Sequence, residues 1–84
     1  MIEAYVFITT RGDTQRVASE ITKYEAAVNV HILEPSDYDI VVYVRAPDLL
    51  KLRAFCSGAL GSIAGIRRST TLICTYEEPV GAIA

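Results

Sequence analysis

The chain opens on an alternation of period two. Ala4, Val6 and Ile8 share one face of an extended segment, while Glu3, Tyr5, Phe7 and Thr9 share the other. The run from Ile2 to Thr9 is rich in β-formers and is predicted as a strand whose two faces are both substantially apolar. Thr10-Arg11-Gly12-Asp13 reads as a turn ending on a helix N-cap at Asp13. From Thr14 to Tyr24 the period becomes helical, with Val17, Ala18, Ile21 and Tyr24 inward and Arg16, Glu20 and Lys23 outward. Val28 to Glu34 alternates again, Val28, Val30 and Ile32 against Asn29, His31 and Leu33, and predicts a second strand. After the turn cluster Pro35-Ser36-Asp37, a third strand spans Tyr38 to Ala46, with Ile40, Val42 and Val44 inward and Val41, Tyr43 and Arg45 reversed. Pro47 and Asp48 suit a helix start. The stripe Leu49, Leu52, Phe55, Cys56, Ala59 and Ile63 predicts a second helix, weakened by Gly58 and Gly61 and closing on Gly65 as a C-cap. The last strand spans Ile66 to Tyr76, with Leu72 and Cys74 on one face and Thr71, Ile73 and Thr75 on the other.

The order βαββαβ with right-handed crossovers predicts an α+β fold of the ferredoxin-like kind: a four-stranded antiparallel sheet, order 4-1-3-2, with two helices on one face. Two helices cover only one side of such a sheet. The other side is expected to carry Tyr5, Phe7, Leu33, Val41, Tyr43 and Ile73, with His31 among them, a patch too apolar to leave in water. Sheet-to-sheet homodimerisation through Tyr5, Phe7, His31, Val41 and Tyr43 is the economical solution.

Composition narrows the functional classes. Eighty-four residues allow one domain, expected over residues 1–77 with 78–84 as a tail or arm. The 51% hydrophobic content is high for a chain that buries only about 60% of its unfolded surface, which again calls for a covering subunit. A net charge of −2 argues against nucleic acid as a direct partner. Cys56 and Cys74 are too few for a disulfide framework and read as reduced thiols in a cytoplasmic protein. No run approaches the length of a membrane span, and Glu3 stands where a signal peptide carries a base. His31 is the single histidine, and no Cys pair has metal-ligand spacing, so neither metal nor cofactor is expected. Gly58, Gly61 and Gly65 fall within and after a helix, not between a strand and a helix as a phosphate cradle requires. Arg67-Arg68 reads as a solvated strand start. Asp37 reads as turn chemistry, which leaves Asp39, at the head of a strand, without a local explanation.

The hairpin from Ile32 to Val42, containing Tyr38-Asp39 before an apolar strand, resembles the corresponding hairpin of the Lrp/AsnC effector domain, also called the RAM domain. Arg45-Ala46-Pro47-Asp48-Leu49 is similar to that family's start of the second helix. Ile63 to Ile73 is similar to its closing Pro-Gly-Val strand with paired threonines, and Ala4 to Ile8 fits its first strand. The family's turn glycine is Ser36 here. The resemblance implies a stand-alone RAM domain without the helix-turn-helix of full-length regulators. It further implies homodimers through the sheet faces, a higher ring of dimers, assembly with full-length regulators, and an amino-acid effector bound between dimers. Carried over by motif, the effector contacts are Asp39 from the hairpin, Thr71, Leu72, Ile73 and Cys74 from the last strand, Leu49 from the helix start, and Ile32. A carboxylate suits an ammonium group, strand N–H groups and Thr71 suit an α-carboxylate, and apolar walls select a side chain.

Two other classes share this fold. A cofactor-free dimeric α+β-barrel monooxygenase or isomerase would place His31 in a cavity between sheet and helices. An RNA-binding sheet would show aromatics beside basic residues, whereas Arg45 is the main basic neighbour of Tyr5, Phe7 and Tyr43 and the chain is acidic.

Overall fold

The computed structural model describes residues 1–34 and 37–75. Its elements are β1 (Ile2–Thr10), α1 (Thr14–Ile21), β2 (Ala27–Ile32), β3 (Ile40–Ala46), α2 (Leu49–Arg53) and β4 (Ile66–Ile73). The strands form one antiparallel sheet in the order β2-β3-β1-β4, the ferredoxin-like arrangement. The turn cluster at Pro35-Ser36 and the tail 78–84 lie outside the described residues.

Alternation along β1 builds the core directly. Ala4, Val6 and Ile8 are fully buried, and so are Ile40, Val42 and Val44 of β3, which stand opposite them. Val17, Ala18 and Ile21 of α1 close the layer from above, with Leu52, Phe55 and Leu60 of the second helical segment. Asp13 caps α1, its carboxylate accepting from the Arg16 N–H at 3.2 Å. The helix ends at Ile21, a turn earlier than its periodicity extends. Tyr24 still reaches the core, packing edge-on against Phe55 with ring centroids 5.9 Å apart.

The second helix departs from a regular stripe. Beyond Arg53 it loosens into a π turn over Ala54–Ala59, and then tightens into a 3-10 turn over Leu60–Ser62. The Leu60 N–H accordingly reaches back five residues to the Phe55 carbonyl. The extra residue in this turn changes the phase, so that Leu60 enters the core, while Leu49 at the start stays 39% exposed. Ile63 is already extended, so Gly65 does not cap the helix. At φ +100° it carries the chain tightly past α1. Its carbonyl accepts from the Arg11 N–H at 2.8 Å, and the Arg16 guanidinium donates to the Ala64 carbonyl at 2.7 Å.

Two bulges alter the strand faces. In β2, Ala27 pairs with Val44 and Asn29 with Tyr43, which leaves Val28 as an extra residue, 46% exposed. In β4, Arg68 pairs with Thr9 and Ile66 with Thr10, and Arg67 is the extra residue. One assignment needs correction. Ile73 pairs with Ala4 and therefore lies on the helix side, whereas Leu72 pairs with Tyr5 and belongs to the open side.

Candidate functional site

The open side of the sheet carries two aromatic pairs. Tyr5 and Tyr43 are cross-strand partners with ring centroids 5.3 Å apart. Phe7 meets Tyr38 at 5.3 Å, and the Arg68 guanidinium lies 5.9 Å from the Tyr38 ring centre, a cation–π contact. Tyr38 was not among the predicted interface residues. Its aromatic side chain ahead of β3 was visible in the sequence, but its place over Phe7 depends on how the hairpin folds back.

Tyr5, His31, Val41 and Tyr43, together with Asn29, line a shallow hollow of about 420 Å³ on this side. His31 pairs with Val41 and so faces the open side, away from the helices. The Tyr43 hydroxyl donates to Glu3 Oε1. That bond, reinforced by partial burial and the negative charge of Glu3, pushes the Tyr43 phenol up to about 12. Leu72 is 56% exposed beside Tyr5, which completes an apolar face with no cover among the described residues.

The residues assigned to an effector fall into two groups. Asp39 sits where β3 begins, its N–H bonded to the Ile8 carbonyl at 2.8 Å. Its carboxylate is engaged: Oδ2 accepts from the Thr10 N–H at 2.7 Å and from the Thr10 hydroxyl at 3.0 Å. The Thr10 hydroxyl also lies 2.8 Å from that of Thr14, so Asp39 ties the head of β3 to the turn that launches α1. Ile32 is at the same end, opposite Ile40, and exposed.

The other group lies toward the start of β1. Thr71 faces the helices, its hydroxyl donating to the Cys56 sulfur at 3.4 Å. Ile73 stands opposite Ala4, and the Cys74 N–H donates to the Glu3 carbonyl at 2.8 Å with its thiol free and exposed. Leu49 follows Ala46, which pairs with Ile2. From the Ile8 level, where Asp39 bonds, to the Ala4 level of Ile73 is about 13 Å along the sheet at ~3.3 Å per residue. Leu72 is also on the opposite side of the sheet from Thr71 and Ile73. Within one protomer these residues do not enclose a single ligand. Among the described residues no three His, Cys, Asp or Glu side chains converge as metal ligands do, and no helix is long and apolar enough to cross a membrane.

Known structures share this architecture. TTHA0845 of Thermus thermophilus is 29% identical, with a TM-score of 0.87 over 94% of this chain and 99% of its own. E. coli AsnC superposes with a TM-score of 0.83 at 14% identity, covering 90% of this chain and 52% of AsnC. The Neisseria meningitidis transcriptional regulator NMB0573, solved as an L-Met complex, gives a TM-score of 0.79 at 15% identity over 99% of this chain and 59% of that one. No curated protein matches the chain. The family model described as the Lrp/AsnC ligand binding domain matches residues 3–79, and the chain, a ferredoxin-like sheet open on one side, belongs to that family.

Proposed function

We propose that this domain senses an amino acid and assembles regulators of the Lrp/AsnC type in the cytoplasm, without catalysing a reaction and without contacting DNA itself. The observation that carries the reading is the uncovered aromatic face formed by Tyr5, Phe7, Tyr38, Val41, Tyr43 and Leu72 in a chain of a ligand-binding family. A second copy covers that face in a two-fold dimer, the arrangement in which one apolar patch satisfies itself. Dimers then meet so that the Asp39 end of one protomer approaches the Thr71–Cys74 end of another, and the effector lies between them with contributions from Leu49 and Ile32. An L-Met complex of a structural neighbour supports an amino acid as the ligand class.

The enzyme reading asks His31 to face a cavity between sheet and helices. His31 lies on the open side instead, beside Tyr43 and Val41, where a dimer covers it. That placement favours binding over catalysis.

Light scattering combined with a thermal-shift panel of the twenty amino acids tests the proposal. The expected results are a dimer or larger species and stabilisation by at least one amino acid, about 2.7 kcal/mol at a hundred times its Kd. A Tyr43→Asp substitution places a charge on the face and should yield monomers. A folded monomer of the unaltered chain, or no response to any amino acid, overturns the reading. So does a sequence-dependent gel shift of duplex DNA by the domain alone at physiological salt.

A further inference from the structure

At the end of the sheet remote from Asp39, a cleft of about 500 Å³ opens between the start of β2, the end of β3 and the first turn of α2. Its walls are chemically mixed. Val28, Ala46 and Pro47 supply apolar surface, and Arg45, Lys51 and Glu25 supply charge. The bulge in β2 is what makes Val28 available, because the extra residue leaves the core alternation and presents its side chain at the surface. Among the described residues the ion pairs are Arg16–Asp13 and Lys23–Glu20, and none of Arg45, Lys51 and Glu25 takes part, although Arg45 stands across from Glu3 of β1 and its charge reaches Tyr43. Arg45 and Lys51 against Glu25, with Met1 beside them, leave the lining with an excess of positive charge. Such a lining attracts an anion, and its apolar part favours one that carries a hydrocarbon body.

We propose that this cleft binds a small aliphatic monocarboxylate, its carboxylate on Arg45 and Lys51 and its hydrocarbon body against Val28, Ala46 and Pro47. The guanidinium fork matches a carboxylate in a bidentate pairing, and Lys51 adds a point charge. The volume lies within the range of small-molecule clefts. The site is contained in one protomer and uses none of the residues assigned to the amino-acid effector, so it stands independently of the proposed function.

Isovalerate is a suitable probe, with leucine and inorganic phosphate as comparisons, followed by amide chemical shifts of the isotope-labelled domain. Isovalerate should move the amides of Glu25, Ala26, Val28, Arg45, Ala46 and Lys51, and Arg45→Gln and Lys51→Gln should each weaken it about tenfold with unchanged circular dichroism. Leucine, whose ammonium meets the cations, and phosphate, which has no hydrocarbon body to set against Val28, Ala46 and Pro47, should bind there at least about tenfold more weakly. The proposal is overturned if isovalerate leaves those amides unmoved up to about 20 mM, if neither variant weakens it, or if leucine or phosphate matches it there.

Discussion

Asp39 is the residue whose role the structure changes most. Its Oδ2 accepts two hydrogen bonds from Thr10, one from a partly buried backbone N–H and one from the hydroxyl. Replacing it by Ala removes both and leaves the Thr10 N–H without its acceptor. A hydrogen bond to a charged group contributes about 1.5–3 kcal/mol and a hydroxyl bond about 1, so in this partly solvated setting Asp39→Ala should cost about 2–3 kcal/mol. For a domain of this size that lowers Tm by about 10–20 °C. The measurement is thermal unfolding followed by circular dichroism at one fixed protein concentration, because association shifts Tm by mass action. Thr10→Val, which removes only the hydroxyl bonds, should cost about 1 kcal/mol, and the double variant should be less destabilised than the sum by about 1 kcal/mol. A loss below about 0.5 kcal/mol for Asp39→Ala, or strict additivity in the cycle, would refute the latch. Asp39→Asn separates the latch from a ligand contact, since its amide oxygen still accepts from Thr10 while the negative charge is gone. An effector held through that charge should weaken by one to two decades in the Asn variant while most of the stability remains.

Tyr43 remains protonated in the folded chain to about 12, whereas an unfolded tyrosine ionises near 10. The folded state therefore holds the proton that the unfolded state loses in that window, and stability must fall as pH rises from 10 through about 12. Tyr43→Phe should flatten this part of the unfolding profile, and an unchanged slope would contradict the Glu3 hydrogen bond as its cause. Gly65→Ala should destabilise by about 2–4 kcal/mol from the positive φ and the displaced Arg16 contact. The new Cβ would stand 2.7 Å from Arg16 Nη2 and 3.1 Å from Val17 Cγ2. Urea unfolding reads the change, and a difference below about 0.5 kcal/mol would mean that α1 yields to the intruding methyl at little cost.

The element order, the sheet order and the inward faces of β1 and β3 are legible in the residue pattern alone. Strict alternation through Ala4, Val6, Ile8 and Ile40, Val42, Val44 admits one burial pattern, because a one-residue slip would expose every one of these side chains. It also located the apolar open face, since Tyr5, Phe7, Val41 and Tyr43 alternate with that core. Alternation carries no sign of an inserted residue, so the bulges at Val28 and Arg67 were not legible, nor was the turn of Ile73 toward the helix side. The helical stripe did not reveal the π turn, because bringing Leu60 into the core depends on what the sheet already fills. The candidate site divides the same way. Asp39 stood out as a carboxylate without a local partner, and its partner proved to be Thr10, 29 residues away in sequence. Contacts of that separation follow from strand pairing, which local sequence pattern cannot express, and so what the carboxylate holds emerges only once β1 and β3 are paired.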